Sequence, residues 1–415
     1  MVPKGWTHTT FDKHVDCLTG FAFKSDNYSN AEDDIRLLRG DNIEPGNLRW
    51  RDAKYWPKGE LNNLEKYYLA DGDFVIALDR TWVSSGLKVA EVTPSDLPCL
   101  LVQRVARIRA KATLEQSLLR QYFSGHKFEQ HVKSVQTATA VPHISPNDIK
   151  EFTVSLPPIL EQKKIAKILS TWDKAITTTE QLLANSQQQK KSLMQQLLTG
   201  KKRLLDNNEV RFVGEWKYVV LGCVFEKISN GVTYDAKSLS GLPVTRIETI
   251  STGEIDFKKV GWAPDSENTK RFKLEIGDIL YSHINSLEHI GRVAYFNDNR
   301  SLYHGMNLLL LRTKKQNNSL FFYHLLNSQV GKKYAKLYAK SAVNQASIST
   351  TDIKAFKVYI PESEEQQKIA TVLSTADQEI ASLQQKLDAL KLEKKALMQQ
   401  LLTGKRRVKI DLMVL

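Results

Sequence analysis

Cysteine is scarce in this 415-residue chain: Cys17, Cys99 and Cys223 are too few and too scattered for a disulfide framework or a zinc site, which points to a reducing, cytoplasmic setting. No apolar run approaches the roughly 18–20 residues that cross a bilayer, so no membrane partner is expected. The opening MVPKGWTHTT lacks the basic-then-apolar pattern of a secretory leader. Also missing are the G-x-x-x-x-G-K-[ST] phosphate loop, the G-x-G-x-x-G fingerprint and H-E-x-x-H. Gly200-Lys201 and Gly331-Lys332 have no upstream glycine at the right distance, and Pro157-Pro158 follows Leu156, not the asparagine of an adenine-N6 methyltransferase turn. His283, His289 and His304 are spaced by six and fifteen residues, which offers no metal-ligand geometry. No carboxylate pair with a nearby lysine marks a nuclease centre. Together these absences, in a chain this long, favour a binding protein.

What is present begins with charge. The chain carries a formal +13, which suggests a polyanionic partner. Hydrophobic content of 41% and charged content of 25% describe ordinary globular protein, long enough for two or three domains. The charge is unevenly spread. Residues 156–205 hold nine Lys/Arg against three acids, and residues 360–409 hold nine against seven. The stretches between are only mildly basic, so phosphate contacts there must come from locally placed loops.

The strongest pattern is a repeat. Residues 156–203 and 360–407, 204 positions apart, are identical at 25 of 48 positions, with Met194 to Lys201 matching Met398 to Lys405 throughout. Upstream, Asp148-Ile149-Lys150-x-Phe152-x-Val154 recurs as Asp352-Ile353-Lys354-x-Phe356-x-Val358. The chain is therefore two copies of one unit, a domain followed by a helix. Apolar residues step by four and three through Ile165, Leu169, Trp172, Ile176, Leu183, Leu193 and Leu197, with Thr179, Ser186 and Lys190 as polar interruptions. The second copy continues the step through Ile369, Leu373, Ala376, Ile380, Leu383, Leu387, Leu390, Leu397 and Leu401, interrupted by Lys394. A 3.5-residue period predicts a coiled-coil seam and not a helix lying on a globular core. Ser363 with Gln366 suggests a capping box, and Gly200 and Gly404 mark the helix ends. Each helix needs a partner for its stripe, and the nearest is its own repeat, packed antiparallel about a pseudo-two-fold axis. The expected architecture is α+β: domains at 1–155 and 206–359, helical spacers at 156–205 and 360–415.

The two domains have diverged, but fragments correspond. Gly72-Asp73-Phe74-Val75-Ile76-Ala77 parallels Gly277-Asp278-Ile279-Leu280-Tyr281-Ser282, and Ile144-Ser145 parallels Ile348-Ser349. Short β-rich runs separated by Gly, Asn and Asp turns, with helical stretches near Leu114 to Phe123 and Ser319 to Leu337, predict mixed α/β domains with small curved sheets. Where the scaffold repeats and the heads differ, the heads recognise different things. Candidate reading loops fall at corresponding places: Arg80, Thr81, Trp82 and Lys88 against His283, Asn285 and Ser286, and Lys133 and Gln136 against Lys340, Asn344 and Gln345. Arg39 and Arg246 complete the set. Asn and Gln can pair with adenine, Arg and Lys with guanine, and Ser, Thr and Lys with phosphate.

With these residues in view, the whole chain resembles the specificity subunit of a type I restriction–modification system. The carrying segments are Glu161-Gln162-x-Lys164-Ile165-Ala166 with Leu193 to Gly200, and Glu365-Gln366-x-Lys368-Ile369-Ala370 with Leu397 to Gly404. The resemblance implies a non-catalytic reader of double-stranded DNA, in which each of two target-recognition domains binds half of an asymmetric bipartite site. It implies helices that set the unspecified spacer and dock two methyltransferase subunits, to which restriction–translocase subunits add. S-adenosylmethionine, ATP and Mg²⁺ are then expected on those partners and not on this chain. Competing readings are a coiled-coil scaffold, a DNA-binding protein outside restriction–modification, and a methyltransferase with fused recognition domains. The last needs a cofactor domain that the length and missing motifs do not supply.

Overall fold

The computed structural model describes residues 2–138, 141–235, 238, 240–342 and 345–410. By its internal contacts the chain divides into two compact units, Met1–Thr179 with Lys386–Leu415, and Glu180–Gln385. The division cuts through both long helices, Ile159–Leu197 and Ser363–Leu401, so each unit owns part of each helix.

In the first unit four antiparallel strands lie in the order Val89–Glu91, Phe74–Ala77, Val105–Ala110 and Val15–Thr19. All four residues of Phe74–Ala77 are buried, because the sheet separates two cores. Phe74 and Ile76 face a cluster with Phe11, Ile108, Phe123, Phe128 and Phe152. Val75 and Ala77 face another, with Leu38, Cys99 and Leu101. The two-residue period of a strand sends alternate side chains to opposite faces, and with both faces covered the strand reads as an unbroken apolar run. Helices Gln116–Phe123 and His126–Val135 cover the first core.

The second unit repeats the plan. Its sheet runs Phe225–Asn230, Leu309–Thr313, Ile279–Tyr281 and Val293–Tyr295, again antiparallel. Ile279, Tyr281, Leu309 and Leu311 face a core under helices Ser319–Asn327 and Gln329–Tyr338, while Leu280 and Leu310 face the opposite cluster. A two-stranded ribbon leads into each long helix: Thr7–Thr10 with Thr153–Leu156, and Lys217–Val220 with Lys357–Ile360. The recurring Ile-Ser and Asp-Ile-Lys fragments have a local cause. Ser145 and Ser349 cap short helices, and Asp148 and Asp352 answer back to complete capping boxes.

Within each unit the two long-helix segments run antiparallel. In the first, Lys394 Nζ bonds Asp173 at 2.6 Å and Arg407 reaches Glu161, so numbers rise on one helix as they fall on the other. In the second, Lys190 bonds Asp377, Ser186 donates to Glu379 at 3.1 Å, and Arg203 reaches Glu365. The polar interruptions of the stripe are thus cross-helix partners; Thr179 instead donates to Ala175 O of its own helix at 2.8 Å. The stripe itself does more than form a seam, which corrects the sequence reading. Ile165, Leu169, Leu397 and Leu401 belong to the first unit's core, and Leu193, Leu197, Ile369 and Leu373 to the second's. Neighbouring Ala166, Met398, Leu198 and Ala370 widen the stripe at the helix ends enough to lie on a globular core. Between those ends Leu183 and Leu387 are buried, and Trp172, Ile176, Ile380, Leu383 and Leu390 are half-buried.

The helix starts also differ from expectation. Gln366 does not close a capping box with Ser363: its amide donates to Pro361 O at 3.0 Å and accepts from Asn318 N at 3.0 Å. Gln162 likewise donates to Pro157 O at 2.9 Å and accepts from Glu115 N at 2.8 Å, tying helix start to domain in both units. Both helices end on a left-handed glycine, Gly200 at φ +70° and Gly404 at φ +69°. The backbone N–H groups of Lys202 and Arg406 then return to Gln196 O and Gln400 O at 3.1 Å, so the turn past each glycine satisfies a carbonyl of the last helical turn. Among the described residues no helix is long and apolar enough to cross a membrane.

Candidate nucleic-acid interface

That turn aims an arginine at a buried carboxylate. In the second unit Arg203 Nε and Nη2 meet Glu365 at 2.6 and 2.7 Å, and Trp216 Nε1 adds a bond at 3.3 Å. In the first, Arg407 meets Glu161 at 2.7 and 2.8 Å, and Trp6 Nε1 adds one at 3.1 Å. Both carboxylates are almost fully buried. A planar two-pronged donor with an indole satisfies a buried carboxylate, which makes the repeated Glu-Gln a joint between helix and domain. A second matched pair stiffens each sheet: Arg109 clasps Asp73, and Arg312 holds Asp278 at 2.7 Å through both Nε and Nη2. Asp73 also accepts Ala70 N, and Asp278 accepts Glu275 N, at 2.7 and 2.8 Å. The recurring Gly-Asp was visible in the sequence; its arginine partners were not.

These scaffolds hold loops at equivalent places, immediately after the strands Phe74–Ala77 and Ile279–Tyr281. In the first unit residues 142–144 come together with the turn at 78–80: Asp79 bridges His143, Arg80 N donates to Pro142 O at 2.9 Å, and Ile144 N to Leu78 O at 2.9 Å. The result is a cavity of about 550 Å³ lined by Arg80, Thr81, Trp82, Lys133, Gln136 and Pro142. Lys133 Nζ lies 4.6 Å over the Trp82 ring. Arg80 has φ +47°, a strained conformation for a side-chain-bearing residue. Thr81 is fully buried and its hydroxyl donates to Leu78 O at 3.3 Å, so it supports the turn instead of facing outward. Lys88 is buried too. Burial depresses its pKa, with Asp41 opposing and Arg80 and Arg49 adding to the shift. Arg39 pairs with Asp41 at 3.2 Å at the edge of this region.

In the second unit the corresponding segments form a small sheet. Ile284–Asn285 pairs with Gln345–Ser347, which pairs with Lys340–Ala342. Asn285, Lys340 and Gln345 thus share one sheet, with Lys340 and Gln345 exposed and Ser286 exposed at its end. Asn285 is partly committed, since Nδ2 donates to Ser282 Oγ at 3.0 Å and Oδ1 accepts Ser286 N at 2.9 Å. Asn344 lies outside the described residues. His283 is buried, and burial pulls its pKa down to about 4, so it is a neutral interior group and no surface contact. Arg246 stands apart from the sheet, with Nη2 on Glu248 at 3.2 Å. One exposed residue escaped the sequence reading: Arg104, at φ +69° in the turn before Val105–Ala110, bonded to Asp79 at 3.3 Å. No sequence pattern distinguishes it, because its place beside Asp79 depends on strand pairing.

The chemistry of both loop regions is hydrogen-bonding and cationic, and among the described residues no group of histidine, cysteine and carboxylate side chains could hold a metal. The two units repeat one frame and differ in the loops it holds, which makes this a duplicated two-domain protein with a repeated long helix. The family description "Type I restriction modification DNA specificity domain" matches residues 18–185 and again 214–392, so the chain belongs to that family. It is 42% identical over 194 residues to a candidate type I restriction enzyme MjaX specificity subunit of Methanocaldococcus jannaschii, covering 46% of each chain. It is 35% identical over 178 residues to the type I restriction enzyme EcoAI specificity subunit of Escherichia coli, covering 43% of this chain and 29% of that one. These matches span about half, or less, of the length of those relatives. The crystal structure of the type I restriction–modification S subunit from M. genitalium shares the fold, with a TM-score of 0.63 at 15% identity over 99% of this chain and 97% of that one.

Proposed function

We propose that this chain is the DNA-recognition subunit of a type I restriction–modification complex, with each unit reading one element of a bipartite, asymmetric site in double-stranded DNA. The observation that carries this reading is the contrast between scaffold and loops. Sheet order, capping boxes, Glu–Arg joints and Asp–Arg clasps repeat, while the loops they hold differ: Arg80, Trp82, Lys133 and Gln136 in one unit, Asn285, Ser286, Lys340 and Gln345 in the other. Identical frames with different reading groups suit two different short base sequences. In this reading 1–155 and 206–359 are the recognition domains and 156–205 and 360–415 the helical spacers. The helices set the number of unspecified bases and dock two methyltransferase subunits, to which restriction–translocase subunits add. S-adenosylmethionine, ATP and Mg²⁺ belong to those partners.

Base-resolved adenine methylation of the host genome, with and without this gene, tests the proposal. Loss of one motif made of two short elements at a fixed gap supports it. An unchanged methylome, with the methyltransferase subunits expressed, refutes it.

A further inference from the structure

A further turn stands at the same edge of each unit's sheet, and the repeated frame fixes it in the same way. In the first unit Val102 bridges Phe21, and Gln103 N donates to Phe21 O at 2.8 Å. In the second Gly305 bridges Val232, and Met306 N donates to Val232 O at 3.0 Å. Gly20 and Gly231 press so closely on these turns that a side chain at either would collide with the backbone of Val102 or of His304. Two residues past the turns, Ala106 pairs with Ile76 and Leu309 with Tyr281, which are equivalent strand positions. Gln103-Arg104 and Met306-Asn307 therefore occupy one place in the repeat. That place lies beside the loops that follow Phe74–Ala77 and Ile279–Tyr281, and Leu78 N donates to Arg104 O at 2.9 Å.

The backbone is matched, yet the side chains it presents differ in chemistry. Gln103, Arg104 and Met306 are exposed and Asn307 is half-buried. Arg104 is engaged only through Nη1, with Asp79 at 3.3 Å, which leaves Nε and Nη2 as parallel donors. Arg104 is 70% exposed, so this ion pair adds little to stability and the fold does not call for the arginine. Asn307 gives one Nδ2 hydrogen to Tyr234 Oη at 2.9 Å, which leaves a donor beside the acceptor Oδ1. Parallel donors match O6 and N7 of guanine, and a donor beside an acceptor matches N7 and N6 of adenine. A shared phosphate contact would keep the same cation in both units; different hydrogen-bonding groups on one fixed turn suit different bases.

We infer that these two turns are base-reading elements, with Arg104 reading a guanine in one half of the DNA site and Asn307 an adenine in the other. The inference rests on the DNA-reading function proposed above, and adds a specificity determinant in each unit outside the loops at 79–88 and 282–286.

The test expresses Arg104→Gly and Asn307→Ala, each with the methyltransferase subunits, in a host that lacks this gene, and reads adenine methylation at base resolution. Arg104 sits at φ +69°, so glycine removes the side chain from a backbone that suits glycine. Arg104→Gly should relax one G·C position of one element and Asn307→Ala one A·T position of the other, with the gap unchanged. A motif unchanged in either variant, or both variants relaxing the same element, overturns the inference and leaves the DNA-reading proposal standing. Where a variant methylates nothing, the purified full chain is titrated with the wild-type duplex and with duplexes substituted at single positions. Discrimination should then fall about tenfold at one position, the scale of one two-pronged base contact. An equal loss on every duplex, up to no binding at all, gives the side chain a structural or phosphate role and overturns the inference. A wild-type chain that directs no bipartite motif overturns the DNA-reading proposal itself, and the inference with it.

Discussion

Replacing Arg203 by alanine strips the buried Glu365 carboxylate of two charge-assisted bonds and leaves it a single indole donor at 3.3 Å. Glu365 is only about 2% exposed and Arg203 about 20%, so water cannot fully take over the lost bonds. Breaking a buried ion pair from one side costs about 3–5 kcal/mol, and the partial exposure of Arg203 favours the lower end, about 3 kcal/mol. For a unit of this size each kcal/mol moves the midpoint by roughly 2–4 °C, so calorimetry of the full chain should place the second unit's transition about 6–12 °C lower. Arg203→Lys keeps the charge but not the two-pronged geometry, and should fall between. The double variant Arg203→Met with Glu365→Leu removes both charges and should recover more than half of the loss, because no unpaired carboxylate remains. A shift under about 2 °C for Arg203→Ala, or a double variant as damaged as the two single changes combined, refutes the reasoning that burial makes this joint costly to break.

Acid should unfold the second unit first. His283 and His304 have pKa values pulled down to about 4 and His324 to about 3, mainly by burial, while among the described residues no histidine of the first unit is buried. The unfolded chain takes up these protons near pH 6.5 and the folded chain does not, so stability is full above that pH and falls as pH drops toward 4, by up to about 1.4 kcal/mol per pH unit for each fully buried histidine; equal acid sensitivity of the two calorimetric transitions contradicts this. Lys394→Asp sets two acids against each other across the helix pair and should cost about 1–2 kcal/mol in chemical denaturation, with Asp173→Lys in the same chain restoring most of it; no rescue means the pair does not hold the register. Gly200→Ala forces a side chain into a left-handed turn at φ +70° and should lower stability by about 1–2 kcal/mol, whereas a neutral result removes the turn's role in aiming Arg203. Lys340→Ala should weaken DNA binding across all sequences and reduce the salt slope by about one, and a change in sequence preference alone would move Lys340 from phosphate to base contact.

Much of the fold was legible before any coordinates. Helix ends at Gly200 and Gly404, the 3.5-residue stripe and the repeat itself are local patterns, and local patterns follow from helical periodicity and backbone sterics. The short apolar strands were legible for the same reason. The site was legible only as a set of loops. The sequence picked out 79–88, 133–137, 282–286 and 340–345 as candidate loops, yet could not tell which of them meet or which side chains look outward. Thr81, Lys88 and His283 are polar residues in loops, but Thr81 and His283 follow strands whose two faces are both covered, and Lys88 leads into Val89–Glu91, which pairs with the first of these strands, so each is drawn inside. Arg104 shows the reverse case, an arginine in a tight turn that ends beside Asp79 only because the strand after it pairs with Phe74–Ala77.

The sequence by itself determined the duplication, the helices and the family, because each rests on residues close together in the chain or on motifs that recur in order. Tertiary structure alone decided which carboxylates are clasped, which loop residues are free to read, and that a cavity forms behind Trp82. Arg407 and Glu161 are 246 positions apart and carry no sequence mark of each other. Their pairing exists because folding brings opposite ends of two antiparallel helices to one domain, where a carboxylate removed from water must find its donors.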